Sequence, residues 1–329
     1  MIEVLLLSER EIRDLMGPTE ALPAVRDAFV RMARGEAILP GVIHLDIPKS
    51  GAEVHVKGAH LQGSRFFTIK VASGSYANPD RGLPTGSGIV LVFDATTGFP
   101  EAVLFDNGYL TDLRTGAAGA LAADLLAKRD VDRIGIVGVG TQARFQLEAI
   151  LGVRKPERVV AFGRSEAKAS RYAQEMQERH NIPVLPAETV EQAVRGSDVV
   201  VTVTPSREPL VHAEWVVPGT HITAVGADSP DKQELDVRVL EKADKVVADR
   251  LDQCIRLGEI HHAIEAGAFR PEDVYGELGE IAAGLKPGRT SDREITVADL
   301  TGVGVQDAAL AEFVVVAAKR HGAGKAHEI

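Results

Sequence analysis

Ile136-Val137-Gly138-Val139-Gly140-Thr141-Gln142-Ala143 is the stretch on which the fold turns. It closes an apolar run, Arg133-Ile134-Gly135-Ile136-Val137, and opens a segment with Phe145, Leu147 and Ile150 at helical spacing. Strand, glycine turn and helix in that order make the G-x-G-x-x-A form of a dinucleotide-binding unit. Gly138 allows the tight turn, Gly140 lets the backbone approach a pyrophosphate, and Ala143 lets the helix sit close to the strand. A helix starting at Thr141 and Gln142 presents amide donors and a partial positive charge to phosphates. The plain alternative is a strand-to-helix turn, since a chain with 32 glycines meets the pattern by chance.

Outward from that loop, strand and helix signals alternate. Arg158-Val159-Val160-Ala161-Phe162, Asp198 to Thr204, His221 to Val225 and Lys245-Val246-Val247-Ala248 read as buried strands, and Ser165 to Arg179 as a helix. Glu294 to Leu300 reads as one more strand. Such alternation predicts a parallel sheet with right-handed crossovers. The second strand runs out through Gly163-Arg164-Ser165 with no acid. An acid there binds the ribose hydroxyls of NAD, whereas arginine and serine suit a 2′-phosphate. NADP(H) is therefore favoured, with NAD(H) the other fit and a solvated loop arginine the plain alternative. Thr202 and Thr204 end a strand on the nicotinamide side, unless they are there for β-propensity alone. Val225 and Val303 complete the expected cofactor set.

The N-terminal third has another rhythm. Ser8-Glu9-Arg10-Glu11 fits a capping box. Thr19 to Arg34 is a predicted helix on the spacing of Leu22, Val25, Phe29 and Met32, ended by Gly35. Val42 to Ile47, Glu53 to Lys57, Phe66 to Val71 and Gly88 to Asp94 read as strands of an antiparallel sheet. A helix is predicted from Thr111 to Lys128, a turn at Thr301-Gly302-Val303-Gly304, and a closing helix from Val305 to Lys319. The expected fold class is α/β: a Rossmann dinucleotide-binding domain over residues 113–302, plus an α+β sheet domain of residues 1–112 with 303–329. The sheet domain is expected to serve dimerisation and substrate binding.

Composition narrows the function classes. A net charge of −10 argues against a nucleic-acid partner, which needs a basic face. No apolar run approaches a membrane span, and Met1 to Ser8 has no basic segment ahead of its apolar run, so neither a membrane partner nor a signal peptide is expected. A single cysteine, Cys254, excludes an internal disulfide and a cysteine-based zinc site. A cytoplasmic protein with no metal is expected.

Lys70 interrupts the apolar strand Phe67-Thr68-Ile69-Lys70-Val71, where a lysine must reach solvent, a carboxylate or a ligand. Arg114 lies near the predicted start of an alanine-rich helix, against the macrodipole, which calls for an anion. A substrate carboxylate held by both cations would supply it; structural salt bridges are the plain alternative. Asp228 follows Val225-Gly226-Ala227 at the carboxyl edge of a strand, where it could bind a substrate amine and move its proton, or simply shape a turn. His44 and His55 are further candidates to line the substrate pocket, surface strand histidines being the commoner case.

With these residues the chain resembles the ornithine cyclodeaminase/mu-crystallin family over nearly its whole length. The resemblance rests on Ile69-Lys70-Val71, Asn78 to Thr85, Leu113-Arg114-Thr115-Gly116-Ala117-Ala118, Gly138 to Ala143, Ala224 to Leu235 and Gly302 to Asp307. Archaeal-type alanine dehydrogenases, ketimine reductases and ectoine-utilisation cyclodeaminase-like proteins are the members it looks most like. It implies a homodimer built on the sheet domain, Lys70 and Arg114 as the carboxylate-binding and catalytic basic residues, and Asp228 as the acid acting on the amine. Mu-crystallin lacks that acid, so its presence leans toward amino-acid chemistry. The family usually carries an arginine after the proline matching Pro40; Gly41 stands there, which puts ornithine as substrate in doubt.

The function expected is an NAD(P)H-dependent imine (ketimine) reductase or amino-acid dehydrogenase, with catalytic Lys70, Arg114 and Asp228. The alternatives are a cyclodeaminase that eliminates ammonia with bound NAD, and a non-catalytic mu-crystallin-like binding protein.

Overall fold

The computed structural model describes residues 3–329; Met1 and Ile2, part of the N-terminal run in which no signal peptide is expected, lie outside the described residues. The chain forms two units: one reaches to Arg114 and resumes at Val303–Ile329, and the other is Thr115–Gly302.

The second unit is built on an eight-stranded sheet in the order Val184–Ala187, Arg158–Phe162, Arg133–Val137, Val199–Thr202, His221–Ala224, Thr296–Asp299, Lys245–Ala248, Gly276–Glu277. Every neighbouring pair is parallel. The middle strands are buried on both faces, which is why Val199, Val200 and Val201, or Ile222 and Val297, are all apolar and fully buried. From Arg133–Val137 the chain proceeds first to one side of the sheet and then, at Val199–Thr202, to the other. That reversal is the switch point at which such sheets bind ligands. A short parallel pair, Arg207–Val211 with Gln233–Leu235, lies apart from the main sheet and was not legible in the sequence.

The first unit has its own eight-stranded sheet, ordered Lys325–Glu328, Glu3–Ser8, Pro100–Phe105, Gly86–Asp94, Phe66–Ser75, Ala52–Leu61, Ala37–Ile38, with Ile43–Ile47 also pairing Ala52–Leu61. The four strands read as antiparallel do pair that way, Ile43–Ile47 with Ala52–Leu61, Ala52–Leu61 with Phe66–Ser75, and Phe66–Ser75 with Gly86–Asp94. Glu3–Ser8 runs parallel to Pro100–Phe105, because a long stretch of chain separates them and a crossover is available. The capping box forms as read: Glu11 N donates to Ser8 Oγ and Ser8 N to Glu11 Oε2.

Alternation divides this sheet into two faces. One carries the row Lys57, Lys70, Val90, Leu104, in cross-strand register, and is covered by the helix Gly304–His321. The other face presents Val54, Val56, Ile69, Val71, Ile89, Leu91, Phe67 and Phe93 as cross-strand neighbours, all only partly buried. Ile43, Leu45 and Ile47 extend it and are about half exposed. Among the described residues no helix is long and apolar enough to cross a membrane.

Candidate active site

The first unit gathers its charges beneath the closing helix. Lys70 is only 2% exposed, and its ammonium lies 3.1 Å from Asp307 Oδ1. Asp307 Oδ1 is also 3.5 Å from Arg114 Nε, so two buried cations share one carboxylate. Arg114 Nη1 donates to Gln306 Oε1 at 2.9 Å, and the same oxygen accepts from Val303 N at 3.2 Å. Arg114 Nε has no hydrogen-bond acceptor in this arrangement. Burial pulls the Lys70 ammonium below the usual lysine range; Asp307 opposes the shift and Arg114 adds to it. Burial raises the nearby Asp106 carboxyl. Lys57, 7% exposed, is the cross-strand neighbour of Lys70.

The reason given above for Arg114 does not survive. The helix runs Tyr109–Leu126 instead of starting at Thr111, and Asp106 Oδ2 caps it by accepting from Leu110 N at 3.0 Å. Arg114 is therefore in the second turn, beyond the reach of the terminal dipole. What fixes it is Asp307 and Gln306, which the sequence reading quoted only as part of a motif. Asp307 sits in the first turn of the helix Gly304–His321, where an acid is ordinary, so the motif alone pointed to it.

His44 and His55 face each other across two strands, with Nδ1 atoms 3.2 Å apart. His44 Nε2 is 3.0 Å from Asp46 and His55 Nε2 is 3.7 Å from Glu53. Alternation puts His55 on the Lys57 and Lys70 face. Gly41 is exposed, and a Cβ there would meet no atom within 4 Å, so nothing steric excludes the family's arginine.

In the second unit the glycine loop has the features a pyrophosphate needs. Gly138 has φ +111°, and a Cβ there would lie 2.7 Å from Val203 O. Gly140 is the N-cap of the helix Thr141–Leu151, which no side chain caps, and a Cβ on it would enter open space. Ala143 is fully buried against the sheet. Arg144, which the sequence reading passed over, braces the loop by donating from Nη1 to Val139 O at 3.0 Å and Gly140 O at 2.9 Å. Gln142 Oε1 accepts from Gln146. These residues fit a dinucleotide: orphan helix amides and a side-chain-free loop suit its phosphates. Arg164 is exposed, and Ser165 caps the next helix by accepting from Lys168 N at 3.4 Å, leaving its own hydroxyl proton to donate.

Thr202 and Val225 are buried in the sheet, with Val225 N donating to Thr202 O at 3.0 Å. Thr204 is held through its backbone. Glu234, fully buried, accepts from Thr204 N at 2.6 Å and from Gly226 N at 2.9 Å, joining the ends of two adjacent strands. Burial pushes its carboxyl up to about 7. Glu259 in turn accepts from Glu234 N and Leu235 N, at 2.9 and 3.0 Å. Burial raises Glu259 strongly and Asp299 to about 8. Asp228 is partly exposed and pairs with the buried Lys232 ammonium at 2.9 Å. Val303, unlike the rest of the expected cofactor set, belongs to the first unit and is 1% exposed at the N-cap of the closing helix.

A glycine loop at the switch point of a parallel sheet defines the class of dinucleotide-binding proteins. The chain belongs to the ornithine cyclodeaminase/mu-crystallin family, whose profile matches residues 3–321. An archaeal alanine dehydrogenase, solved as a dimer with bound NAD, is 41% identical with a TM-score of 0.93, covering 100% of both chains. The Δ1-pyrroline-2-carboxylate reductase of Thermococcus litoralis, solved with NADH and L-proline, is 32% identical at a TM-score of 0.94, covering 98% of this chain and 99% of that one. The iminosuccinate reductase of Paracoccus denitrificans, solved with NAD+, is 34% identical at a TM-score of 0.91 and covers 100% of both.

Proposed function

We propose that this chain is an NAD(P)H-dependent reductase of small imino acids, able to run in reverse as an amino-acid dehydrogenase. The observation that carries the proposal is the buried Lys70–Asp307–Arg114 cluster, in which two cations share one acid. An arrangement of that kind suits a second anion, and a substrate carboxylate can take the unmet Arg114 Nε donor. Lys70, with its ammonium pulled toward neutrality by burial, can polarise the imine and exchange a proton with it. Asp228, held by Lys232, manages the amine proton. The glycine loop and Thr204 hold the dinucleotide, which when bound supplies or accepts the hydride.

The exposed Arg164 and the donor left on Ser165 support NADP(H) over NAD(H), and the shared face of His44, His55 and Lys70 supports the two histidines as lining of the substrate pocket. The half-exposed apolar face around Ile43, Leu45 and Ile47 supports a homodimer joined through the first unit's sheet, since neighbouring apolar side chains left open to solvent mark interaction surfaces. A single buried cysteine suits the cytoplasm.

The test is oxidation of NADPH and NADH with cyclic imino acids, and with 2-oxo acids plus ammonia or methylamine. Stoichiometric loss of the reduced cofactor is the expected result. Ammonia released from a diamino acid without net cofactor change would establish the cyclodeaminase instead. Imino acids that bind and are never reduced would make the protein a binding module.

A further inference from the structure

Outside the residues assigned above, His261, His262 and Glu265 on the helix Gly258–Glu265 bring one ligand atom each within 4.8 Å of one another. His261 and Glu265 are one helical turn apart, with Nε2 to Oε2 at 3.4 Å. An i, i+4 histidine–glutamate pair is commonly a plain surface contact. Two further bonds argue for more. His261 Nδ1 lies 3.2 Å from Ile255 O, and His262 Nε2 lies 2.9 Å from Lys232 O. A carbonyl oxygen only accepts, so each of those nitrogens must carry the proton. In the neutral rings the lone pairs are therefore at His261 Nε2 and His262 Nδ1. Imidazoles that ligate metals are oriented in this way, with the far N–H given to a backbone carbonyl.

We propose that His261, His262 and Glu265 form a binding site for a zinc-class divalent cation. Two imidazoles and a carboxylate suit Zn2+, Co2+, Ni2+ or Cu2+ better than Ca2+ or Mg2+, which prefer oxygen. Three protein ligands leave the fourth position to water or an outside ligand. Glu265 is two-thirds exposed, so the site opens to solvent. It is also tied to the reaction residues of its own unit: Lys232, whose carbonyl holds His262, grips Asp228 through its ammonium. Nothing in the proposal depends on the reductase reading, because it is tested by binding alone.

The probe is Co2+ added to the tag-free full-length protein, followed by visible absorption and equilibrium dialysis, with Zn2+ as competitor. One equivalent per chain, displaced by Zn2+, is expected. His261→Ala and Glu265→Gln should each weaken it at least about tenfold, while His44→Ala leaves it unchanged. Circular dichroism checks folding, and the exposed Glu265 makes its variant the safer of the two. Absence of Co2+ binding overturns the proposal, as does binding that both variants retain or that His44→Ala abolishes.

Discussion

Lys70 and Asp307, on a central strand and on the closing helix, form an ion pair of 3.1 Å in which each side chain is 2% exposed. Water cannot screen such a pair, so its loss leaves an uncompensated charge in the core. Asp307→Asn leaves both Lys70 and Arg114 without their shared acid. It should destabilise the protein by about 3–5 kcal/mol in urea unfolding, and Lys70→Met added to it should recover much of the loss. A cost below about 1 kcal/mol, the range of surface pairs, would show that the pair is not an anchor.

Glu234 accepts from two amides at once, those of Thr204 and Gly226. Glu234→Gln keeps the size but offers one acceptor oxygen and turns an NH2 against the other amide. The loss should be roughly tenfold or more in kcat/KM for the dinucleotide, with a smaller effect on the imino-acid KM. Because burial pushes this carboxyl up to about 7, wild-type dinucleotide affinity should fall as pH drops through that value, and the variant should lack the step. A variant with the wild-type pH profile would remove Glu234 from the account.

Asp299 and Glu234 are raised by burial, to about 8 and about 7. Both groups bind protons more tightly folded than unfolded, so the folded state holds more protons between the unfolded and folded values. Stability therefore falls as pH rises from about 4 to about 8. Asp299→Asn retains an acceptor for Ile260 N and cannot ionise. The melting temperature of the cofactor-free variant should drop less between pH 5 and 8 than that of the wild type, by roughly 2–4 °C for each kcal/mol retained. Parallel curves would mean that Asp299 does not titrate in this range.

Arg164→Ala should weaken NADPH more than NADH, by about tenfold or more if the guanidinium meets the 2′-phosphate. Fluorescence titration with both cofactors decides it, and equal losses would reject that role.

The parts of the fold that were legible are those whose burial writes itself locally. The strand Arg133–Val137 and its glycine turn stand out because a central parallel strand must be apolar on both faces. Pro100–Phe105 was invisible, being opened by a proline, and with it the parallel partnership of Glu3–Ser8. Lys70 and Arg114 drew notice as charges out of place. Asp307 did not, because an acid in a first helical turn is ordinary; only the chain's return from the second unit brings it to Lys70. Glu234 was hidden for a similar reason, since its amide partners Thr204 and Gly226 belong to other strand ends.

The order of synthesis follows from the split of the first unit around the second. Thr115–Gly302 emerges as one continuous piece and can begin folding while Gly304–His321 is still in the ribosome. Through that interval the sheet strand holding Lys70 already exists without its counter-charge or its helical cover. A nascent chain stalled after residue 302 would therefore expose a cation-bearing apolar sheet, a surface suited to chaperones rather than to catalysis.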